Sequence, residues 1–266
     1  MLSAVEGEVE SQAVCPQHPE RAAVRTCARC GRYVCSGCEQ ENGQCRECMR
    51  LSALEVPDSR GRARRAVTAL QFSAATDLLS LGLHVILSLG VFTEEVQGVP
   101  AAGVVFLNVG GGLLAQVFLL MWFHRVVRQL KALGRDIGDS PAMAVWWWLI
   151  PLANWVKPYH LMKDVATRLG GAHFASVLPL SVWWGANVLS RIMNQVDQRI
   201  IGKLETADGG MSTAGAVVGL IAAGSALVMA LFSIQIIRAL QEKLDQRRDG
   251  LEFGDGPVPE AGAEAA

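Results

Sequence analysis

Apolar and polar positions divide the chain into a polar, Cys-rich head, a long apolar body and a short polar end. Four stretches meet the roughly 20 apolar residues a helix needs to cross a bilayer. They run about 67–92, 100–123, 174–195 and 211–238, and the last has no charged residue from Met211 to Ile236. A fifth apolar piece, AMAVWWWLIPLANW at 142–155, is short, broken at Pro151 and flanked by basic residues. It reads as a re-entrant or interfacial segment with Trp146, Trp147, Trp148 and Trp155 at headgroup depth, a short crossing helix being the alternative. Upstream, Val126, Leu130, Leu133 and Ile137 recur at helical spacing with Arg and Lys opposite, which suits a helix lying on the membrane surface. The predicted fold is therefore an all-α polytopic membrane protein. It has about four transmembrane helices, a re-entrant or interfacial segment and a small N-terminal zinc domain.

Charge orients this body. RGRARR precedes the first span, whereas the next connector, TEEVQGVP, has two Glu and no Lys or Arg. The following long loop carries Arg125, Arg128, Lys131, Arg135, Lys157, Lys163 and Arg168, and RALQEKLDQRR closes the fourth span. The positive-inside rule then places both termini in the cytoplasm. The expected domains are a disordered 1–14, a metal-binding 15–48, a basic juxtamembrane linker 49–66, a membrane domain 67–240 and a disordered acidic tail 241–266. The net charge of −1 is an average over these unlike parts.

All seven Cys lie between Cys15 and Cys48. The first residues hold three Glu and no basic or apolar signal, so the head is expected in the reducing cytoplasm, where disulfides do not persist. With His18 the ligands form four x2-spaced pairs: Cys15 with His18, Cys27 with Cys30, Cys35 with Cys38, and Cys45 with Cys48. Eight ligands make two closed tetrahedral zinc sites, the structural rather than the catalytic arrangement. Spacing alone leaves three ways to divide four pairs between two ions. A head of this size buries little apolar surface, so metal binding is expected to supply its folding energy.

The run CPQHPERAAVRTCARCGRYVCSGC resembles a B-box-type zinc finger over roughly 15–48. The resemblance implies interleaved pairs, with Cys15, His18, Cys35 and Cys38 on one ion and Cys27, Cys30, Cys45 and Cys48 on the other. The last pair departs from it, being Cys where the B-box usually has His. The resemblance also implies protein–protein association. Seven Glu and five Arg in residues 1–48, with the thiolates of two zinc sites, bring the head to about −5. Nucleic-acid binding requires a basic footprint, so none is expected.

A second resemblance rests on Trp122-x2-Arg125, Leu133-Gly134, Pro141, Ala144-Val145, Trp148, Pro151, Asn154 and Pro158-Tyr159. These are similar to a family of bacterial multi-pass membrane proteins catalogued as domain of unknown function 4328, over roughly 70–240. Gln129 stands where that family usually has Asn. The resemblance implies several helices, a cytoplasmic motif loop and a bacterial inner-membrane setting, and no reaction.

Ionisable groups inside spans are costly and invite a functional reading. Asp77 and His84 share one face of the first span, and Asn187, Arg191 and Asn194 one face of the third. With Asn108 they suggest a polar seam, a pathway in the functional reading and interhelical glue in the structural one. Gly215-x3-Gly219 and Ala223 offer a close-packing face, with an oligomer as a possible use. No H-E-x-x-H, Walker A, G-x-S-x-G or Rossmann pattern occurs, and His124 and His160 read as solvated interfacial residues. The expected function is non-enzymatic: a membrane-tethered zinc head that docks or signals to a protein. The alternative is a small-solute or ion transporter regulated by that head.

Overall fold

The computed structural model describes residues 13–40, 43–89, 94–201 and 213–252. The head is two antiparallel hairpins, β1 (Val14–Cys15) with β2 (His18–Ala22) and β3 (Arg25–Thr26) with β4 (Tyr33–Val34), followed by α1 (Arg46–Glu55). Strands this short cannot hold themselves together in water. Their buried cluster is six cysteines and Val34, so the head has almost no apolar core of its own.

The body is helical: α2 (Arg60–Ser88), α3 (Glu94–Ala132), α4 (Pro141–Trp146), α5 (Lys157–Val177), α6 (Leu180–Val196) and α7 (Thr213–Glu252). A 3-10 turn, Ala153–Trp155, precedes α5, and a π turn, Asp197–Ile201, follows α6. Side-chain contacts give each helix its direction. Asn108 meets Asp77 at mid-helix and Arg62 donates to the Met121 carbonyl at 2.9 Å, so α3 runs antiparallel to α2. Arg60 pairs with Asp245 and Asp249 at one end while Gly219 lies under His84 at the other, so α7 also opposes α2. Trp183 donates to Ser233 at 2.8 Å and Ser190 faces the Ala222 carbonyl, which sets α6 antiparallel to α7. The packing order is therefore α3, α2, α7, α6.

Three helices are long and apolar enough to cross a membrane: Arg60–Ile86, Ala102–Ala132 and Ala214–Leu251. The expected third span, 174–195, is divided. Gly171 takes φ +81°, a backbone only glycine adopts readily, and kinks α5. Pro179 then separates α5 from α6, which has 17 residues before its π turn. The expected surface helix is also different. The stripe of Val126, Leu130, Leu133 and Ile137 begins on α3 itself, a 39-residue helix about 58 Å long at 1.5 Å per residue. Val126 and Leu130 are fully buried against neighbouring helices, because the apolar face that would suit lipid serves equally well as a protein core. Segment 142–155 does not form a crossing helix; it is the six-residue α4 and the 3-10 turn.

α3 and α7 exceed the roughly 30 Å hydrocarbon thickness about twofold, and their surplus lies at the head end. The main core sits there. Trp122, Phe123, Leu130, Leu161, Leu169, Ile237, Leu240 and Leu244 are buried among α3, α5 and α7. Toward the far end, large apolar side chains such as Leu79, Phe106 and Leu113 are exposed and small residues face the neighbouring helices. This contrast is physical: water drives large side chains inward, whereas lipid does not, and small residues let helices approach.

The domain boundaries shift accordingly. Most of the expected linker 49–66 is helical, leaving residues 56–59 between α1 and α2. α7 runs through the start of the expected disordered tail to Glu252, because Leu240 and Leu244 keep it packed on the core. The remainder of that tail and residues 1–12 lie outside the described residues. On the face expected to support an oligomer, Gly219 lies under His84 of the same chain. A Cβ on Gly219 would overlap the His84 ring. Gly219→Ala should therefore lower the melting temperature of the purified protein, at a cost of about 1–3 kcal/mol. Adding His84→Ala should restore most of it; no loss in the single variant counts against this contact.

Candidate metal centres

Each ligand pair sits on a tight turn. Cys15 and His18 flank the β1–β2 turn, and Cys27 and Cys30 the β3–β4 turn, where the Gly31 N–H donates to the Cys27 carbonyl at 2.9 Å. Gly31 holds φ +71°, which closes that knuckle without a Cβ penalty. Cys35 and Cys38 follow β4 in a turn closed by the Cys38 N–H on the Cys35 carbonyl at 3.0 Å. Cys45 is the N-cap of α1 and accepts from the Cys48 N–H at 3.4 Å, which places both thiols at the positive end of the helix.

The hairpins bring alternate pairs together. Cys15, His18, Cys35 and Cys38 form one cluster, and Cys27, Cys30, Cys45 and Cys48 the other, each with its ligand atoms within 4.8 Å of one another. The interleaved division implied by the B-box resemblance is the one the fold adopts. Sulfur separations are 3.9 Å for Cys15–Cys38 and 3.8 Å for Cys30–Cys45. A tetrahedral ion with metal–sulfur bonds of about 2.3 Å has an edge of about 3.8 Å. The His18 Nδ1 lies 3.2 Å from Cys38 Sγ and 3.6 Å from Cys35 Sγ, so that nitrogen completes the first set. All the ligands are buried or half-buried except Cys30, which is exposed.

The electrostatics match a cation site. The backbone N–H of Cys35, aided against burial by Gln17 and His18, lowers Cys15 to about 6. Burial raises Cys27, but the N–H groups of Cys30, Cys45 and Arg29 outweigh it and leave that thiol at about 6. Burial and neighbouring sulfurs push Cys38 and Cys48 up to about 12, and burial raises Cys45. Without a cation, crowded thiols resist joint ionisation; a divalent ion removes that obstacle.

The head is fastened to the bundle. Arg29, between Cys27 and Cys30, donates to Ser52 at 2.5 Å and pairs with Glu55, both on α1. Arg50 of α1 donates to the Leu251 carbonyl and Arg248 of α7 to the Val56 carbonyl, each at 2.7 Å. The Pro57 carbonyl accepts from Arg125 and Gln129 at 3.2 and 3.3 Å. Two residues of the α3 motif thus hold the segment joining head to membrane body.

The other motif residues have visible structural roles. Gly134 ends α3 at φ +74°, with the Arg135 N–H on the Leu130 carbonyl at 3.0 Å. Ser140 caps α4, Pro141 opens it, and Pro158 lies in the first turn of α5. Pro151 is in the turn between α4 and the 3-10 segment. Trp148, expected at headgroup depth, is buried against Phe123, Trp183 and Trp184; Trp146 is exposed. Among the described residues, the buried side-chain polar atoms without a hydrogen-bond partner are Arg125 Nε, Gln129 Oε1, Trp148 Nε1 and Asn154 Oδ1, all from this motif.

The polar groups of the expected seam divide between the α2–α3 contact and α6. Asp77 accepts from Asn108 at 2.8 Å between α2 and α3, while Arg191 donates to Asn187 at 2.8 Å within α6. His84 bonds the Ser80 carbonyl and covers Gly219. Helix α7 lies between α2 and α6. Sequence reading missed Gln241, whose Oε1 accepts from both Ser59 and Trp122 at 2.9 Å and whose Nε2 donates to Asp245.

Fold and site thus define a helical protein of membrane type carrying two four-ligand Cys/His clusters at its N-terminus. The family described as domain of unknown function (DUF4328) matches residues 93–242, more than half of the chain, and the chain belongs to that family. The match leaves out the head and α2, and so starts later than the expected 70. No curated protein and no solved structure matches the chain.

Proposed function

We propose that this is a polytopic protein of the bacterial cell membrane whose cytoplasmic head, a B-box-like zinc cross-brace, docks a protein partner without catalysing a reaction. The carrying observation is that each cluster supplies four ligands, which leaves an ion no open position for substrate. The two hairpins leave Val14, Val24 and Tyr33 exposed as apolar contacts for a partner. The alternating directions of α2, α3, α6 and α7 support four crossings, with α6 and its π turn as the short third, and both termini on the basic side. Separation of the Asp77 and Arg191 contacts by α7 favours helix packing over a continuous transport path.

Crosslinking in the native membrane tests the docking role. The intact chain should capture specific proteins that a Cys15→Ser, Cys27→Ser variant no longer captures. Persistence of the same partners, with a flux abolished by Asp77→Asn, would instead establish the transport reading. Reporter fusions within residues 93–99 and after Glu252 should report opposite sides of the membrane.

A further inference from the structure

One face of α3 carries Leu114, Val117 and Met121 and continues, at helical spacing, into His124, Arg125 and Arg128. The three apolar residues are exposed. No charged residue occurs from Val96 to Phe123, so Arg125 is the first charge after the apolar run and stands at the hydrocarbon border. Arg62 of α2 reaches the same place, where its Nη1 donates to the Met121 carbonyl at 2.9 Å. An exposed apolar strip therefore ends in a cluster of three arginines contributed by two helices.

The chain does not neutralise this cluster. Arg62 and Arg128 both repel Arg125, and all three arginines bear electrostatically on His124. Asp58 is the carboxylate that opposes them at Arg125, yet it is exposed and forms no ion pair with any of the three. Like charges gathered in this way cost stability unless an anion joins them. The guanidinium groups also have donors to spare. Arg62 and Arg125 each place Nη1 on one backbone carbonyl, of Met121 and Pro57, and make no other hydrogen bond among the described residues. Arg128, which is exposed, makes none among them. The arginines on the α7 side of α2 are placed differently: Arg60 pairs with Asp245 and Asp249, and Arg64 shares a groove with Glu242.

We propose that this cluster is a binding site for an anionic phospholipid, with the phosphate on Arg62, Arg125 and Arg128 and an acyl chain along Leu114, Val117 and Met121. Hydrogen bonds from guanidinium to phosphate are charge-assisted and directional, and they supply the strength. Three arginines against one carboxylate leave an excess of positive charge. That excess favours a headgroup of net negative charge over a zwitterionic one, whose ammonium would be brought close to the same cations. The site rests on the membrane placement proposed above.

The test uses the full chain in nanodiscs holding equal phosphatidylglycerol, phosphatidylethanolamine and phosphatidylcholine, with retained lipid counted by native mass spectrometry. Phosphatidylglycerol should be retained in preference to the other two. Arg62→Gln with Arg128→Gln should reduce that retention at least about tenfold. Arg64→Gln with Arg238→Gln removes as much charge from the same end of the bundle, on the α7 side, and should leave retention unchanged. Thermal unfolding gives a second measurement. The parent should be more stable with phosphatidylglycerol than with phosphatidylcholine alone, and Arg128→Gln by itself should shrink that difference. In phosphatidylcholine alone both cluster variants should be at least as stable as the parent, since like charges have been removed. Equal retention of the three lipids overturns the proposal, as does an equal loss in the Arg64, Arg238 variant, which would mean unselective attraction. Displacement by soluble glycerol phosphate at matched concentration also overturns it, in favour of a water-soluble phosphate ester. Extraction of the chain from native membranes by alkaline carbonate would overturn the membrane placement and the lipid site with it. A carbonate-resistant chain with equal retention overturns the lipid site alone.

Discussion

Zinc chelation of the full-length protein in nanodiscs is expected to release about two ions per chain and to unfold the head while the helical body stays protected. The expected effect is large, because structural zinc in small modules contributes about 10–16 kcal/mol at neutral pH, and here that energy has almost no apolar core to assist it. The buried cluster of the head is its own ligand set plus Val34. Amide exchange read by mass spectrometry should show residues 13–45 losing protection. α2, α3 and α7 should retain theirs, since their core is separate from the head. Release should occur in two steps, with the ion of Cys27, Cys30, Cys45 and Cys48 leaving first because Cys30 is the exposed ligand. Acid should favour release as well, since ligation requires thiolates and protons compete with the ion. One ion or none per chain, or a head that keeps its protection after chelation, overturns the metal reading.

The ligands were legible because x2 spacing is local: a tight turn aims Cys27 and Cys30 at one point whatever the rest of the chain does. Their division between two ions was not, because it depends on how hairpins cross. Spacing allows three divisions, and only the β3–β4 hairpin, with Cys27 and Cys30 at its turn and Cys35 and Cys38 at its exit, decides among them. The same distinction runs through the body. Periodicity correctly put Val126 and Leu130 on one helical face but not against the right neighbour, since lipid and protein cores accept the same residues. It put Asp77 and His84 on one face and Asn187 and Arg191 on another, yet the adjacency of the two helices is a matter of packing order, and α7 intervenes. α7 itself looked like a span with a polar tail. Its continuation to Glu252 depends on Leu240 and Leu244 finding α3 and α5, which local composition does not reveal.

That continuation brings the largest effect expected in the body, at Gln241. In the sequence this residue looks like one more polar position on a solvated helix face, RALQEKLDQRR. In the fold it is buried, and its side chain joins three parts of the chain. Its carbonyl oxygen accepts from the buried Ser59 hydroxyl before α2 and from the buried Trp122 indole of α3, both at 2.9 Å. Its amide nitrogen donates at 2.8 Å to Asp245, the carboxylate that also pairs with Arg60. Gln241→Leu keeps the volume and the apolar contacts but removes the shared acceptor. Two buried donors are then left unpaired, at about 1–3 kcal/mol each, so a loss of about 3–4 kcal/mol is expected. Gln241→Glu retains an acceptor for both donors but sets a second carboxylate beside Asp245, and should lose less at pH 5 than at pH 8 as protonation relieves the repulsion. Thermal unfolding in nanodiscs measures both. A Gln241→Leu protein as stable as the parent would mean that these groups are satisfied elsewhere. The loss should also appear as faster exchange across residues 56–64, because Ser59 ties the segment held by Arg125, Gln129 and Arg248 to the bundle.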